Sequence, residues 1–270
     1  LLWFDTQAIE AVNFYVSLFD NSIILNKSII ERSPSGNVDF VRFELSGVRF
    51  MAMSAGPFFK INESTSFFVY CGSDSVIENL YPKLADGGSV LMELGKYDWS
   101  PKYAWIKDKF GVSWQLDVNG VNTEQKIVPA LLFNGSKALW VKEAVNYYSS
   151  VFPNSKILLE SPYNKSAGLP DDALLFAQVK IFGYLFNMMS SKMNHGFDFN
   201  EAVSFMVQCN DQEEIDYYWD RLTKGGIEQP CGWLKDKFGV SWQIVPKEMD
   251  EMMATKDKDK TGMIPYMSHY

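Results

Sequence analysis

The chain has 270 residues, 47% apolar and 15% aromatic, with 33 acidic against 25 basic side chains and a net charge of −8. That length and apolar content fill one large or two ordinary cores, and the acidic balance, with no basic stripe, excludes the electrostatic footprint of a nucleic-acid binder. No apolar run approaches the roughly 20 residues that cross a bilayer and no signal-peptide pattern is present, so a cytoplasmic protein without membrane contact is expected; the abrupt start at Leu1 suggests a few lost residues.

In chain order, a first helix is expected near residues 7–19, where Ile9, Val12, Val16 and Phe19 recur at helical spacing as a buried stripe. Val41 to Leu45 alternates apolar and polar side chains, Gly47 permits a turn, and Val48 to Met53 returns as a second strand. Phe67 to Cys71 is an apolar strand. A second helix follows near 75–86 with Ile77, Leu80, Tyr81 and Leu84 on its buried face. Ser75 and Glu78 have capping-box spacing, and Gly87-Gly88 stops the helix. Ser89 to Pro101 carries Tyr97, Asp98 and Trp99, either as a lid over a pocket or as cover for an apolar patch.

Asp108-Lys109-Phe110-Gly111-Val112-Ser113-Trp114-Gln115 then recurs letter for letter as Asp236-Lys237-Phe238-Gly239-Val240-Ser241-Trp242-Gln243. A separation of 128 residues is the size of a domain, not of a solenoid repeat. Glu10-Ala11-Val12-Asn13 pairs likewise with Glu143-Ala144-Val145-Asn146, and Gly87-Gly88 with Gly225-Gly226. The chain is therefore a tandem duplication: one copy at 1–120, a short polar joint, a second copy at 127–246, and a tail at 247–270. In the second copy Ile215, Tyr218, Trp219 and Leu222 form the helical stripe, and the segment Ser89 to Pro101 has no counterpart.

The repeated octet reads as a turn followed by a strand. Alternation places Val112, Trp114 and Leu116 against helices and Ser113 and Gln115 on the opposite face, with Val240, Trp242, Ile244 and Ser241, Gln243 likewise. A buried Trp needs a partner for its N–H, so folding alone is a sufficient reason for the repeat. Cys71 and Cys209 read as buried, inert thiols, and Cys231, near Lys235 and Lys237, as structural ahead of reactive.

An Asp-x-x-Gly turn leading into a strand that ends in a polar residue resembles the closing strand of the vicinal oxygen chelate superfamily, which includes glyoxalase I, extradiol dioxygenases and bleomycin-binding proteins. Leu2-Trp3-Phe4-Asp5, Glu10 to Tyr15 and Cys231 to Pro246 look like its PhnB-like group, also labelled 3-demethylubiquinone-9 3-methyltransferase. The resemblance covers nearly the whole chain. It implies an α+β fold of tandem glyoxalase-like domains, each of two βαβββ units curling around a cavity. It also implies a cavity face carrying Arg42, Glu44, Ser113 and Gln115 in the first copy and Gln178, Lys180, Ser241 and Gln243 in the second, or a pocket formed between the copies.

Enzymes of the superfamily hold a divalent metal with His, Gln or Glu from the first strand, His or Glu after the midpoint, and Glu from the closing strand. Those positions fall here ahead of Leu1 and near Pro129, near Ser66 and Ser204, and on Gln115 and Gln243. Amides and hydroxyls are poor substitutes for carboxylates on a hard cation, and the two histidines, His195 and His269, lie elsewhere. No metal and no cofactor are expected, and no glycine-rich strand-to-helix loop offers to hold a methyl-donor nucleotide. Whether the protein is an enzyme stays open. The leading expectation is a metal-independent binder of an apolar or aromatic small molecule; the alternative is an enzyme of unknown substrate using Arg42, Glu44 and Gln115. The tail, rich in Met and alternating Lys-Asp, is a candidate docking segment for a partner or a second copy, as a homodimer.

Overall fold

The computed structural model describes residues 1–33, 36–119, 124–247 and 249. Almost all of the tail, His269 included, lies outside them. Four βαβββ units follow one another. The first is β1 (Leu2–Phe4), α1 (Ala8–Leu18), β2 (Ile23–Ser33), β3 (Gly36–Leu45) and β4 (Val48–Ser54). The second is β5 (Thr65–Tyr70), α2 (Asp74–Ala85), β6 (Ser89–Tyr97), β7 (Ser100–Lys107) and β8 (Ser113–Asp117). The third is β9 (Ile127–Asn134), α3 (Val141–Val151), β10 (Lys156–Pro162), β11 (Leu174–Ile181) and β12 (Tyr184–Ser191). The fourth is β13 (Ser204–Cys209), α4 (Gln212–Thr223), β14 (Ile227–Glu228), β15 (Trp233–Lys235) and β16 (Ser241–Pro246).

In each unit the first strand runs parallel to the last and the other neighbours are antiparallel, as in β1 beside β4 and β13 beside β16. The helix after the first strand is the crossover that a parallel pair requires. Units two and three fuse through antiparallel β5 and β9 into one eight-stranded sheet, in the order β10-β11-β12-β9-β5-β8-β7-β6. Units one and four form separate four-stranded sheets. These meet where β1 approaches β13, through the bridge Leu2–Val203 and backbone hydrogen bonds from Trp3 to Ala202 and from Ser204 to Leu1. The sheet faces thus join unit two to three and unit one to four, across the two copies.

The helices pack inside each copy. One core gathers Ala11, Val12 and Tyr15 of α1, Ile77, Leu80 and Leu84 of α2, and Phe43, Phe67 and Trp114 of the strands. The second repeats it with Val145, Tyr148, Tyr218, Leu222 and Trp242. Of the expected stripe of α1, Val12 and Phe19 are buried and Ile9 and Val16 are half-buried against the same core, and Ala8, Ala11 and Tyr15 are buried beside them. Tyr15 claims the inward position because its hydroxyl has a buried carboxylate to meet. Helix α2 starts one residue before the expected boundary, capped at Ser73 with no side-chain cap bond, so Ser75 and Glu78 do not close a capping box.

The repeated octet supplies that carboxylate. Asp108 Oδ2 accepts from Tyr15 Oη at 2.7 Å and Trp114 Nε1 at 2.8 Å, and its Oδ1 accepts from the backbone N–H of Phe110 and Val112 at 2.8 and 3.0 Å. Asp236 repeats every contact, with Tyr148 at 2.6 Å, Trp242 at 2.8 Å, and the backbone of Phe238 and Val240 at 2.9 and 3.1 Å. One side chain pins the turn, the closing strand and the first helix of its copy. Burial pushes both carboxyls above the ordinary aspartate value, against the hydrogen bonds that pull them down. The Asp and Trp of the octet, with the turn between them, thus serve architecture in both copies.

Candidate functional site

Strand alternation sends the residues opposite the helices onto two sheet faces that differ in kind. On the fused sheet the face is filled. Phe68, Tyr70, Tyr103, Val128, Ala130 and Leu185 form a buried cluster, with Met92, Tyr97, Trp105, Phe176 and Met189 against it. Gln115 is fully buried there: its Oε1 accepts from Tyr103 Oη, and its Nε2 donates to Ser66 Oγ at 2.7 Å and contacts Met189 Sδ at 3.3 Å. Ser113 Oγ accepts from Trp105 Nε1 at 2.7 Å. Gln178 donates across the copies to Tyr70 Oη at 3.2 Å and, within its own copy, to Asn187 Oδ1 at 2.9 Å. Burial pushes Tyr70 up to about 12 and raises Tyr103 as well, so both phenols stay neutral, Tyr103 donating to Gln115 and Tyr70 accepting from Gln178 and Asn187.

The segment Ser89 to Pro101 adds Met92 and Tyr97 to that filling. It lengthens β6 and β7 into a long hairpin where the second copy has only the short pair β14 and β15. At its tip Tyr97 stacks on Trp99 at 5.1 Å, and both meet Tyr103 edge-on. Of the two expectations for this segment, cover for an apolar patch describes the structure.

Units one and four present the second face. Phe43, Phe50 and Ala52 face the first core and Phe205, Trp242 and Ile244 the second. Arg42, Glu44, Met51 and Met53 on one side, and Ser204, Met206, Ser241 and Gln243 on the other, therefore point away from the helices. Trp3 and Trp233 approach edge-on at 6.5 Å, with Phe59 5.1 Å from Trp3. Arg42, Met51, Met53, Met206, Trp3 and Trp233 are only half-buried. Gln243 Nε2 donates to Ser204 Oγ at 2.7 Å, as Gln115 does to Ser66. The Ser241 hydroxyl, 1% exposed, has no hydrogen-bond partner among the described residues, whereas its counterpart Ser113 is held by Trp105. A cavity of about 640 Å³ opens beside this face, with Arg42, Asn26, Met51, Met206 and Gln208 in its lining.

The expected site residues are therefore regrouped. Arg42 and Glu44 share a face with Ser241 and Gln243, while Ser113 and Gln115 share one with Gln178; grouping by copy is replaced by pairing between copies. Lys180 is exposed. Glu44 pairs with its cross-strand neighbour Arg49 at 3.5 Å, and the Arg42 guanidinium lies 5.7 Å from the Phe40 ring centre. Sequence reasoning missed Trp3, Trp233 and the pair Met51 and Met206; the identical Trp105 and Trp233 of the repeat were the available signal.

The donor set does not fit the divalent metal of the superfamily's enzymes. At the closing position a neutral amide, Gln243, stands where a hard cation calls for a carboxylate, and no group of three or more His, Cys, Asp or Glu converges among the described residues. His195 sits apart, bonded to Ser191 Oγ at 2.8 Å and stacked on Phe197. The thiols are pushed up by burial, Cys71 to about 12 and Cys209 to about 11, with Cys231 also raised; none has the lowered value of a nucleophile. Cys71 is half-buried just past the end of β5 instead of inside the strand.

Paired βαβββ units around a polar-floored face define a protein of the vicinal oxygen chelate fold. The structure of glyoxalase I from Zea mays aligns over 100% of this chain and 95% of its own with a TM-score of 0.60, and a putative dioxygenase from Bacillus subtilis over 94% and 88% with 0.53. At 12% and 10% identity these likenesses speak for the fold alone. The family model described as 3-demethylubiquinone-9 3-methyltransferase matches residues 1–117 and again 125–245, and the chain belongs to that family. A putative 3-demethylubiquinone-9 3-methyltransferase, PhnB protein, from Bacillus cereus is 37% identical over 43% of this chain and 94% of its own, with a TM-score of 0.40. A search of curated proteins returns no significant match. No helix among the described residues is long and apolar enough to cross a membrane.

Proposed function

We propose that the protein binds a small apolar or aromatic molecule without a metal, on the face shared by units one and four. The contrast between the two faces carries this reading. The face of units two and three is packed with the protein's own Tyr and Phe side chains, whereas its counterpart keeps half-buried Trp3, Trp233, Met51 and Met206 over a polar floor. Aromatic walls with a few convergent polar groups are the usual composition of a ligand pocket. Met adapts to irregular apolar shapes. Arg42 supplies a cation for a ligand's acidic group, and the buried Ser241 hydroxyl supplies a hydrogen-bonding group for a ligand to satisfy.

A panel of flat aromatic compounds with and without a carboxylate, titrated by calorimetry, tests this. Trp233→Ala is expected to weaken the best binder by about tenfold, roughly the 1.4 kcal/mol of one lost aromatic contact, and Arg42→Met to weaken the carboxylates selectively. Gln115→Leu, on the filled face, is expected to leave affinity unchanged. Equal loss from Gln115→Leu and Trp233→Ala would remove the assignment to this face.

A further inference from the structure

The filled face shows which partners the other face lacks. On β8, Ser113 and Gln115 point away from the helices, and each accepts a hydrogen bond from an aromatic side chain of β7. Trp105 Nε1 donates to Ser113 Oγ at 2.7 Å, and Tyr103 Oη donates to Gln115 Oε1. Ser241 and Gln243 repeat the pair on β16, and Gln243 Nε2 donates to the serine of the neighbouring strand as Gln115 Nε2 does. The acceptors are the same in both copies, but the donors are not.

Trp233 lies opposite Gln243 as Trp105 lies opposite Gln115. Its indole nevertheless packs edge-on against Trp3, and the Ser241 hydroxyl, 1% exposed, has no hydrogen-bond partner among the described residues. Trp3 stands where the first copy's counterpart sheet has Leu132: the backbone N–H of Trp3 donates to Ala202 O, and that of Leu132 to Ser64 O. A second indole in the place of a leucine gives Trp233 a partner other than its serine. The Tyr103 position is held by Cys231, and Cys231 and Gly232, at φ of +63° and +76°, turn the chain aside before β15 begins. Among the described residues no donor takes the place of the Tyr103 hydroxyl at Gln243 Oε1. A third acceptor lies alongside: Gln229, whose backbone N–H bonds Trp233 O, gives its amide nitrogen to Glu201 and keeps a buried Oε1 without a partner among the described residues. The long hairpin that carries Tyr97 and Tyr103 over Gln115 is reduced here to the short pair β14 and β15.

We propose that the ligand of this face is a flat aromatic molecule with a hydrogen-bond donor at each end, an N–H for Ser241 Oγ and an O–H for Gln243 Oε1. It takes the place that the indole of Trp105 and the phenol of Tyr103 hold on the fused sheet, so the first copy carries in its own side chains an image of what the second copy binds. Ser241 and Gln243 are two residues apart on one strand, about 7 Å, a span that a single bicyclic ring system with substituents at opposite ends covers. Acceptors that are buried without a donor favour a molecule that brings one, and reject its methylated isostere. This inference rests on the assignment of the ligand to the face of units one and four, and adds the polarity and spacing of the groups that the ligand presents.

The test uses three probes on one ring, 5-hydroxyindole, 5-hydroxy-1-methylindole and 5-methoxyindole, each titrated into the full chain by calorimetry. Blocking either donor is expected to weaken binding about tenfold. Ser241→Ala is expected to weaken 5-hydroxyindole by a similar factor and to leave 5-hydroxy-1-methylindole unchanged. Gln243→Met is expected to weaken 5-hydroxyindole and to leave 5-methoxyindole unchanged. Equal affinity of the parent chain for the three probes, or no binding of any of them, would overturn the proposal without recourse to a variant. If the three bound equally and Trp233→Ala weakened them all, the ligand face would stand and the donor pattern alone would fall. Loss of affinity from Gln115→Leu but not from Trp233→Ala would remove the face assignment itself, and this inference with it.

Discussion

Asp108 and Asp236 illustrate how one residue type can be fixed by packing instead of chemistry. Each carboxylate receives four donors from three elements, and an amide cannot replace it. Asn presents its own N–H groups to two of those donors and leaves them buried without an acceptor, at about 1–3 kcal/mol each. Asp108→Asn is therefore expected to cost several times more stability than Tyr15→Phe, which removes a single donor; urea unfolding of the two variants measures this. The pH dependence has an unusual sign. Because burial raises the folded-state value of Asp108 above 3.8, the folded chain holds that proton more tightly than the unfolded one. Its contribution is full below the unfolded value and is lost as pH rises through the raised folded value. Tyr15→Phe removes a hydrogen bond that lowers the value, so in that variant the loss extends to higher pH. Unfolding free energies that rose with pH across that acidic window in Tyr15→Phe relative to the parent would contradict the assignment.

At the scale of elements, the glycine pairs after α2 and α4 show two separate demands. Gly87 and Gly225 adopt φ of +69° and +79°, the left-handed turn that ends a helix. Gly88 and Gly226 are needed for space. A Cβ on Gly88 would fall inside the Lys107 carbonyl oxygen and 2.9 Å from Asp108 Cα, and on Gly226 inside the Lys235 carbonyl oxygen. The helix end thus packs directly on the turn held by the buried aspartate. Gly88→Ala is expected to destabilise by about 3 kcal/mol, the upper end for overpacking, and more than Gly87→Ala, at about 1–2 kcal/mol; thermal unfolding of the pair decides the order. The pairing of Gly87-Gly88 with Gly225-Gly226 was legible in sequence as a helix stop, but the second glycine's role was not, because it depends on the far end of the next hairpin, Lys107 and Asp108 for Gly88 and Lys235 and Asp236 for Gly226. The same limit governed the site. Alternation along β8 and β16 correctly separated Ser113 and Gln115 from Trp114. It could not say that the Gln115 face would be filled by Tyr97, Tyr103 and Tyr70 while Trp3, Trp233, Met51 and Met206 of the other face stayed half-buried, since that turns on contacts between units far apart in the chain.

For the molecule as a whole, the duplication is visible as repetition, yet the copies do not behave as two beads. Each copy of the proposed division, 1–120 and 127–246, has its own helical core, but β5 pairs with β9 and β1 meets β13 across the division. Ile127, Ala202 and Val203 of the second copy even enter the core of the first. A separated copy would expose the unpaired edges of β5 or β9 together with the apolar face that Phe68, Tyr70 and Tyr103 share with Val128 and Leu185. Bare edges next to apolar surface are templates for pairing with another chain. Residues 1–120 and 127–247 produced separately are therefore expected to self-associate through these edges. Mixed together, they are expected to form a one-to-one complex that regains the affinity of the intact chain for its best aromatic ligand. Light scattering on each half and on the mixture gives the stoichiometry. Halves that stay folded and monomeric, and do not combine on mixing, would show that the faces between copies contribute little, and would leave the ligand face without the second copy's Trp233 and Gln243.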